Sequence, residues 1–244
     1  MAGIERIRVA IVDYGLGNLF SVKHACAHVG MEGVITSAAG DILGADAVFL
    51  PGVGGFGNAM NALRRRDLVR PLQDYAASGK PLIGICLGLQ LLMTVSYEFG
   101  THKGLGLIDG PVVHLDKPRT PSGRMLKVPQ VGWNRTFRPH GPNQPPEGEA
   151  SLPAAWTGSP MEGVPEGAFM YFVHSYYVVP EDPGVTLTVA QYGNITFCSS
   201  LTYRNIFACQ FHPERSGPLG LHIYRNIAAR IREQRAAPVS KAER

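Results

Sequence analysis

Apolar residues enter this chain in short unbroken runs rather than in strict alternation. Residues 8–12, 33–36, 47–50 and 81–85 each read as a strand buried on both faces. Between them the spacing changes to a helical repeat: Leu19, Val22, Cys26 and Val29 share one face of a helix that Asn18 can cap and Gly30 can stop. Residues 68–78 predict a second helix, ended by Gly79, and residues 87–95 a third that begins directly after Cys86. Residues 51–57, rich in glycine, read as a loop. Apolar strands alternating with helices predict an α/β fold, a mostly parallel central sheet with helices on both faces.

The second half has a different texture. Runs at 112–115, 169–179, 186–191, 194–203 and 206–211 predict strands of an antiparallel extension, followed by a closing helix over about 219–234. Residues 138–167 are rich in Pro, Gly and Glu and keep no period, so a surface insertion is expected there; residues 236–244 read as a frayed tail. No internal repeat is present, and the expectation is one domain over residues 1–244.

Composition narrows the class. With 244 residues, 45% hydrophobic and 17% charged, the chain can bury a sizeable core and is neither disordered nor fibrous. Its four cysteines show no CxxC spacing, which argues against a zinc ribbon, a thioredoxin-type site or a disulfide-stapled fold and suits a reducing cytoplasm. Charges interrupt the N-terminal apolar runs, so no signal peptide or lipidation signal is read there. Residues 81–95 fall short of the ~18 that a spanning helix needs and contain Gly84 and Gly88, so no membrane segment is expected. Much of the net charge of +4 comes from the C-terminal stretch. The basic run 64–66 lacks interleaved aromatics, which disfavours nucleic-acid binding.

Two patterns carry candidate chemistry. Gly84-Ile85-Cys86-Leu87-Gly88 is the cysteine form of a nucleophile elbow at a strand-to-helix junction. On such a turn the residues two positions either side of the nucleophile crowd one another, and glycine removes that crowding. The Leu87 amide would point where an oxyanion forms. Cys86 alone is equally readable as a small buried hydrophobe. The second pattern is His212-Pro213-Glu214 at the end of a predicted strand. An extended segment would set His212 and Glu214 side by side, giving a base and its orienter. Cys86, His212 and Glu214 then form a triad in that chain order.

Other patterns are weaker. Gly52, Gly54 and Gly57 make a GxGxxG, but the preceding strand is the third rather than the first, and no acidic residue stands where a ribose would need one. Backbone amides at Gly52 and Val53 are better read as the second half of an oxyanion hole. His174 lies in a strand with no acid two residues away and reads as a core or interface histidine. His24 and His28 have i, i+4 spacing without a third ligand nearby. Neither a metal nor a cofactor is expected.

The elbow cysteine with a downstream HPE resembles the class-I glutamine amidotransferases. Asp13 to Asn18 (DYGLGN), PGVGGFG at 51–57, GICLGLQLL at 84–92, GWN at 132–134, YFVHSYY at 171–177 and QFHPERS at 210–216 are similar, over about residues 8–231, to the glutaminase subunits of imidazole glycerol phosphate synthases. The resemblance implies hydrolysis of L-glutamine to glutamate and ammonia. The ammonia would pass to a β/α-barrel cyclase subunit in a heterodimer that makes imidazole glycerol phosphate and aminoimidazole carboxamide ribotide for histidine biosynthesis. By the same resemblance Cys86 is the nucleophile, His212 the base and Glu214 its orienter. Gly52, Gln90, Ser175 and Tyr176 hold glutamine, Val53 and Leu87 supply the oxyanion amides, and Tyr14, Asn18, Tyr171 and Arg215 lie near the cyclase. A flip of the Gly52–Val53 peptide is a reasonable activation switch. Gln130, where the family usually has histidine, and Arg215, where it has lysine, depart from the pattern; both are expected in the partner region. Two competing readings are a glutaminase of another pathway, such as guanylate or pyridoxal phosphate synthesis, and a non-catalytic flavodoxin-like module.

Overall fold

The structure, a computed structural model, describes residues 6–139 and 156–236. The chain alternates strand and helix through β1 (Ile7–Val12), α1 (Leu19–His28), β2 (Met31–Thr36), α2 (Ala39–Gly44), β3 (Ala47–Gly52), α3 (Phe56–Arg65), α4 (Val69–Ala77), β4 (Leu82–Cys86) and α5 (Leu87–Leu91). It continues through β5 (Met93–Ser96), β6 (His102–Lys103), β7 (Ile108–His114), β8 (Gln130–Thr136), β9 (Ala168–His174) and β10 (Tyr176–Val178). The last elements are β11 (Thr186–Tyr192), β12 (Ile195–Tyr203), β13 (Ile206–Cys209) and α6 (Gly217–Ala236).

The main sheet has the order β11-β12-β13-β4-β3-β1-β2. Its strands are apolar throughout because both faces are covered. Val9 and Ile11 of β1 and Phe49 of β3 pack against α1 and α6, where Phe49 stacks on Tyr224 at 5.6 Å. The alternate residues Ala10, Val12, Val48 and Leu50 pack against α2 to α5. Asn18 caps α1 by accepting from the Ser21 amide. A smaller sheet, β10-β7-β5-β6, and a two-stranded ribbon, β8-β9, stand beside the main one.

Four expectations need correction. β13 is not one of the antiparallel additions: it runs parallel to β4, with Cys209 opposite Ile85, and only β12 and β11 beyond it are antiparallel. The glycine-rich loop ends early, since α3 already begins at Phe56. The helix after Cys86 ends at Leu91, and the chain turns into β5, where Val95 pairs with Lys103 and Pro111; Thr94 and Val95 are β-branched and suit a strand. The run 169–179 is two strands broken at Ser175, one paired with β8 and the other with β7.

The region 138–167 is not wholly a surface insertion. Trp156, Met161 and Val164 are buried against the α6 side of the core, and the Trp156 indole donates to the Leu187 carbonyl at 3.0 Å. The rest of it, residues 140–155, and the tail beyond Ala236 lie outside the described residues. Among the described residues no helix is long and apolar enough to cross a membrane.

Candidate active site

Because β3, β4 and β13 are parallel neighbours, their carboxyl ends meet at one edge, and the register sets Gly52 directly opposite Cys86. That edge is where ligands bind in open α/β sheets. Cys86 sits on the turn into α5 with φ 54 and ψ −108, a conformation that L-residues rarely adopt. Its two glycine neighbours are needed for reasons other than mutual crowding. A Cβ on Gly84 would lie 3.0 Å from both Ala208 and Leu92, and one on Gly88 would lie 1.7 Å from the Leu50 carbonyl oxygen. The elbow is pressed against the adjoining strands, and glycine is what lets it fit.

His212 comes to the same edge by a route that the sequence does not suggest. β13 stops at Cys209, and residues Pro213–Arg215 form one 3-10 turn rather than an extended segment. Proline presets the first position of such a turn, and the Arg215 amide closes it on the His212 carbonyl at 3.0 Å. The side chains still meet: His212 Nδ1 is 2.8 Å from Glu214 Oε1, both buried. Ser216 staples the turn to β9, donating to the His212 carbonyl at 2.7 Å and accepting from the Tyr171 amide at 3.0 Å.

His212 Nε2 meets no hydrogen-bond partner at good geometry, yet it is close enough to Cys86 for the two to interact electrostatically. Burial alone would lower the imidazole. The attraction of the Cys86 sulfur, reinforced by Glu214, outweighs burial and raises it to about 10. In contrast, burial pushes the thiols of Cys26 and Cys198 up to about 12 and that of Cys209 well above its ordinary value. Those three are inert as nucleophiles.

A cavity of about 230 Å³ opens over the elbow, lined by Val53, Gly54, Cys86, Leu87, Gln90, Glu98, Pro129 and residues 173–176. It is smaller than the ~300–1,000 Å³ that drug-sized ligands occupy and suits something the size of an amino acid. Val53, Leu87, Gln90, Ser175 and Tyr176 are thus brought together around Cys86. A larger cavity of about 1030 Å³ borders Leu82, Ile206 and α6 at the amino ends of β4 and β13, away from Cys86.

Two polar residues of this site have no role assigned from the sequence. Gln210 donates to the Cys86 sulfur at 3.6 Å and accepts from Gln90 at 3.1 Å, while Gln90 also donates to the Tyr176 carbonyl at 2.8 Å. Its position two residues before His212 was the available signal. Glu98 accepts from the Phe56 amide at the start of α3, and nothing in its local sequence marks it.

The residues expected near a partner divide. Asn18 and Arg215 are exposed, and the Arg215 guanidinium lies over the Tyr171 ring at 4.4 Å. Beside Tyr171, Val131, Trp133 and Phe169 expose an apolar face on the β8-β9 ribbon. Tyr14 is 1% exposed and cannot contact a partner: its ring turns inward and its hydroxyl donates to the Pro51 carbonyl. Gln130 is also buried rather than at the surface, opposite His174 in the ribbon.

His174 is held neutral. Burial lowers it, the Tyr176 carbonyl on Nδ1 partly opposes that, and the charge of His212 lowers it further, to about 4. A histidine lowered from about 6.5 binds fewer protons folded than unfolded between those two values, so stability is lost as pH falls through that window. Denaturant unfolding is expected to show about 3 kcal/mol less stability from this residue at pH 4 than at pH 7, and His174→Asn should flatten the acid limb. An equally steep limb in the variant would contradict it. His212, raised, acts in the opposite window: its contribution is complete below about 6.5 and disappears as pH rises through about 10.

Comparison with known proteins sets this geometry in context. Residues 10–231 match the family described as Glutamine amidotransferase class-I. The chain is 42% identical over 220 residues to the imidazole glycerol phosphate synthase subunit HisH of Rhodopirellula baltica, covering 90% of this chain and 96% of that one. It is 42% identical over 219 residues to the protein of the same name from Syntrophotalea carbinolica, covering 90% and 98%. Among solved structures, PurLQS from Thermotoga maritima superposes with a TM-score of 0.60 at 19% identity, over 93% of this chain and 100% of that one. The glutaminase domain of Trypanosoma brucei CTPS does so with a TM-score of 0.57 at 16% identity, over 92% and 94%. At those identities the two structures speak to the fold alone.

Proposed function

The chain belongs to the class-I glutamine amidotransferases, and we infer from its 42% identity to HisH subunits over 90% of its length that it is the glutaminase subunit of an imidazole glycerol phosphate synthase, hydrolysing L-glutamine for a cyclase partner in histidine biosynthesis. The observation that supports the chemistry most directly is the meeting, at one sheet edge, of a cysteine on a strained elbow with a buried His212–Glu214 pair.

The reaction follows from these positions. The Cys86 sulfur attacks the side-chain amide carbon of glutamine, and the carbonyl oxygen becomes an oxyanion that the Leu87 and Val53 amides receive. His212 delivers a proton to the departing nitrogen, so ammonia leaves and a glutamyl thioester remains. Water, deprotonated by His212, adds to the thioester; the carbon–sulfur bond then breaks and glutamate is released. Glu214 holds the imidazole through Nδ1 so that Nε2 faces the sulfur. Gln90, Ser175, Tyr176 and Gly52 hold the substrate, and Gln210 steadies both Gln90 and the sulfur. The ammonia passes to the cyclase, which docks on the exposed β8-β9 face, where Arg215 lies over Tyr171, and also contacts Asn18. The whole chain works as one amidotransferase domain. It belongs in the cytoplasm, a compartment in which its free cysteines stay reduced.

Glutamate release from glutamine tests this reading, measured for the chain alone and with the matching cyclase and its nucleotide ligand. The partner is expected to raise turnover at least ~10-fold, the scale of an ordinary allosteric coupling. No glutamate under either condition would shift the reading to a non-catalytic module.

A further inference from the structure

Tyr14 belongs to the DYGLGN motif, but it is buried, so docking cannot be its role. Its side chain crosses from the end of β1 to the end of β3. There the hydroxyl donates to the Pro51 carbonyl at 2.9 Å, while the Tyr14 carbonyl accepts from Arg66 at 2.9 Å. The phenol oxygen lies 2.1 Å from where a Cβ on Gly52 would stand, and the Leu87 Cβ lies 3.0 Å from the same point on another side. Gly52 is therefore enclosed by the phenol and by the residue after the nucleophile, and it faces Cys86 in the sheet. The phenol stays protonated, because burial first and the nearby Cys86 second raise it above its ordinary value. It is a permanent donor.

We propose that Tyr14 is a positioning residue for glutamine hydrolysis: its hydroxyl clamps the Pro51–Gly52 peptide so that the next amide, that of Val53, is aimed at the oxyanion. The proposal rests on the functional reading above. With the Pro51 carbonyl tied down and the proline ring fixing its own φ, the free rotation at this corner is confined to ψ of Gly52 and φ of Val53. Turning the Val53 amide then moves one peptide rather than the whole loop. Without the clamp, only the pairing with β4 and the proline ring hold the Pro51–Gly52 unit, and the donor loses part of the preorganisation on which oxyanion stabilisation depends. Pro51 O also becomes a buried acceptor with one partner fewer.

Tyr14→Phe deletes only the hydroxyl. With the cyclase and its nucleotide present, kcat for glutamine hydrolysis is expected to fall ~10-fold, less than the ~100- to 1,000-fold typical of losing an oxyanion donor outright. KM for glutamine should change less than ~2-fold, since an interaction made only in the transition state is affected. The lost buried hydrogen bond should lower the melting temperature by only ~2–6 °C, while the cyclase affinity and cyclase turnover on added ammonia stay near wild type. An unchanged kcat in the variant overturns the role of Tyr14, as does a loss matched by weaker cyclase binding or by a higher glutamine KM. A wild-type protein that releases no glutamate with its cyclase overturns the functional reading instead, so the two failures are distinguishable.

Discussion

Cys86→Ala is expected to lower glutamine hydrolysis at least ~10,000-fold, the scale seen when a nucleophile is removed from a triad whose members act as a unit. No other thiol can take over. Cys209 lies on the adjacent strand but is fully buried, with its thiol pushed well above the ordinary range. The fold should survive, because Cys86 is small and alanine changes little at its position, so cyclase binding and cyclase turnover on added ammonia are expected to persist. The variant also removes the sulfur's attraction, which is the leading influence raising His212. Its imidazole titration, followed by NMR, should move down from about 10. Glutamine turnover within tenfold of wild type, or an unmoved imidazole, would refute the assignment of Cys86 and its coupling to His212.

What the sequence reveals and what it hides follow from the range of the forces involved. The elbow is legible because a strained turn imposes residue types locally, and HPE is legible as a base beside its acid, although the 3-10 turn that joins them reads as an extended segment. The parallel strands are legible because burial on both faces leaves continuous apolar runs. The pairing of β13 is not, since Ile206 to Cys209 reads the same whether β4 lies parallel or antiparallel to it. Nor is the short reach of α5, where pairing of β5 with β7 overrides the helical propensity of Leu91 to Met93. Tyr14 is the instructive case. The family resemblance sets this motif residue near the cyclase, and only the tertiary placement shows its hydroxyl spent on the Pro51 carbonyl.

Gly88→Ala is expected to be the most destabilising small substitution at the elbow. The added Cβ would lie 1.7 Å from the Leu50 carbonyl oxygen and 2.8 Å from its carbon. Leu50 is backbone in a central strand, fully buried and paired with Gly84 on β4, so it has no direction in which to give way. The cost should exceed the ~1–3 kcal/mol usual for overpacking and reach about 4 kcal/mol. For a domain of this size that lowers the melting temperature by ~8–16 °C. Gly84→Ala meets Ala208 and a terminal methyl of Leu92 at 3.0 Å and the Leu89 amide at 3.1 Å. The Leu92 methyl can swing aside, and Ala208 Cβ and the Leu89 amide, though fixed to backbone, need give only a few tenths of an ångström, so it should cost less than Gly88→Ala. Gly40→Ala, in α2 with nothing within 4 Å, is expected to be neutral or to stabilise by up to ~1 kcal/mol. Calorimetry on the three proteins tests the order. Crowding between the two elbow glycines themselves would make Gly84→Ala and Gly88→Ala equally costly. Contact with the neighbouring strands, as the distances require, makes the second much worse, and a Gly88→Ala protein melting within ~2 °C of wild type would contradict that account.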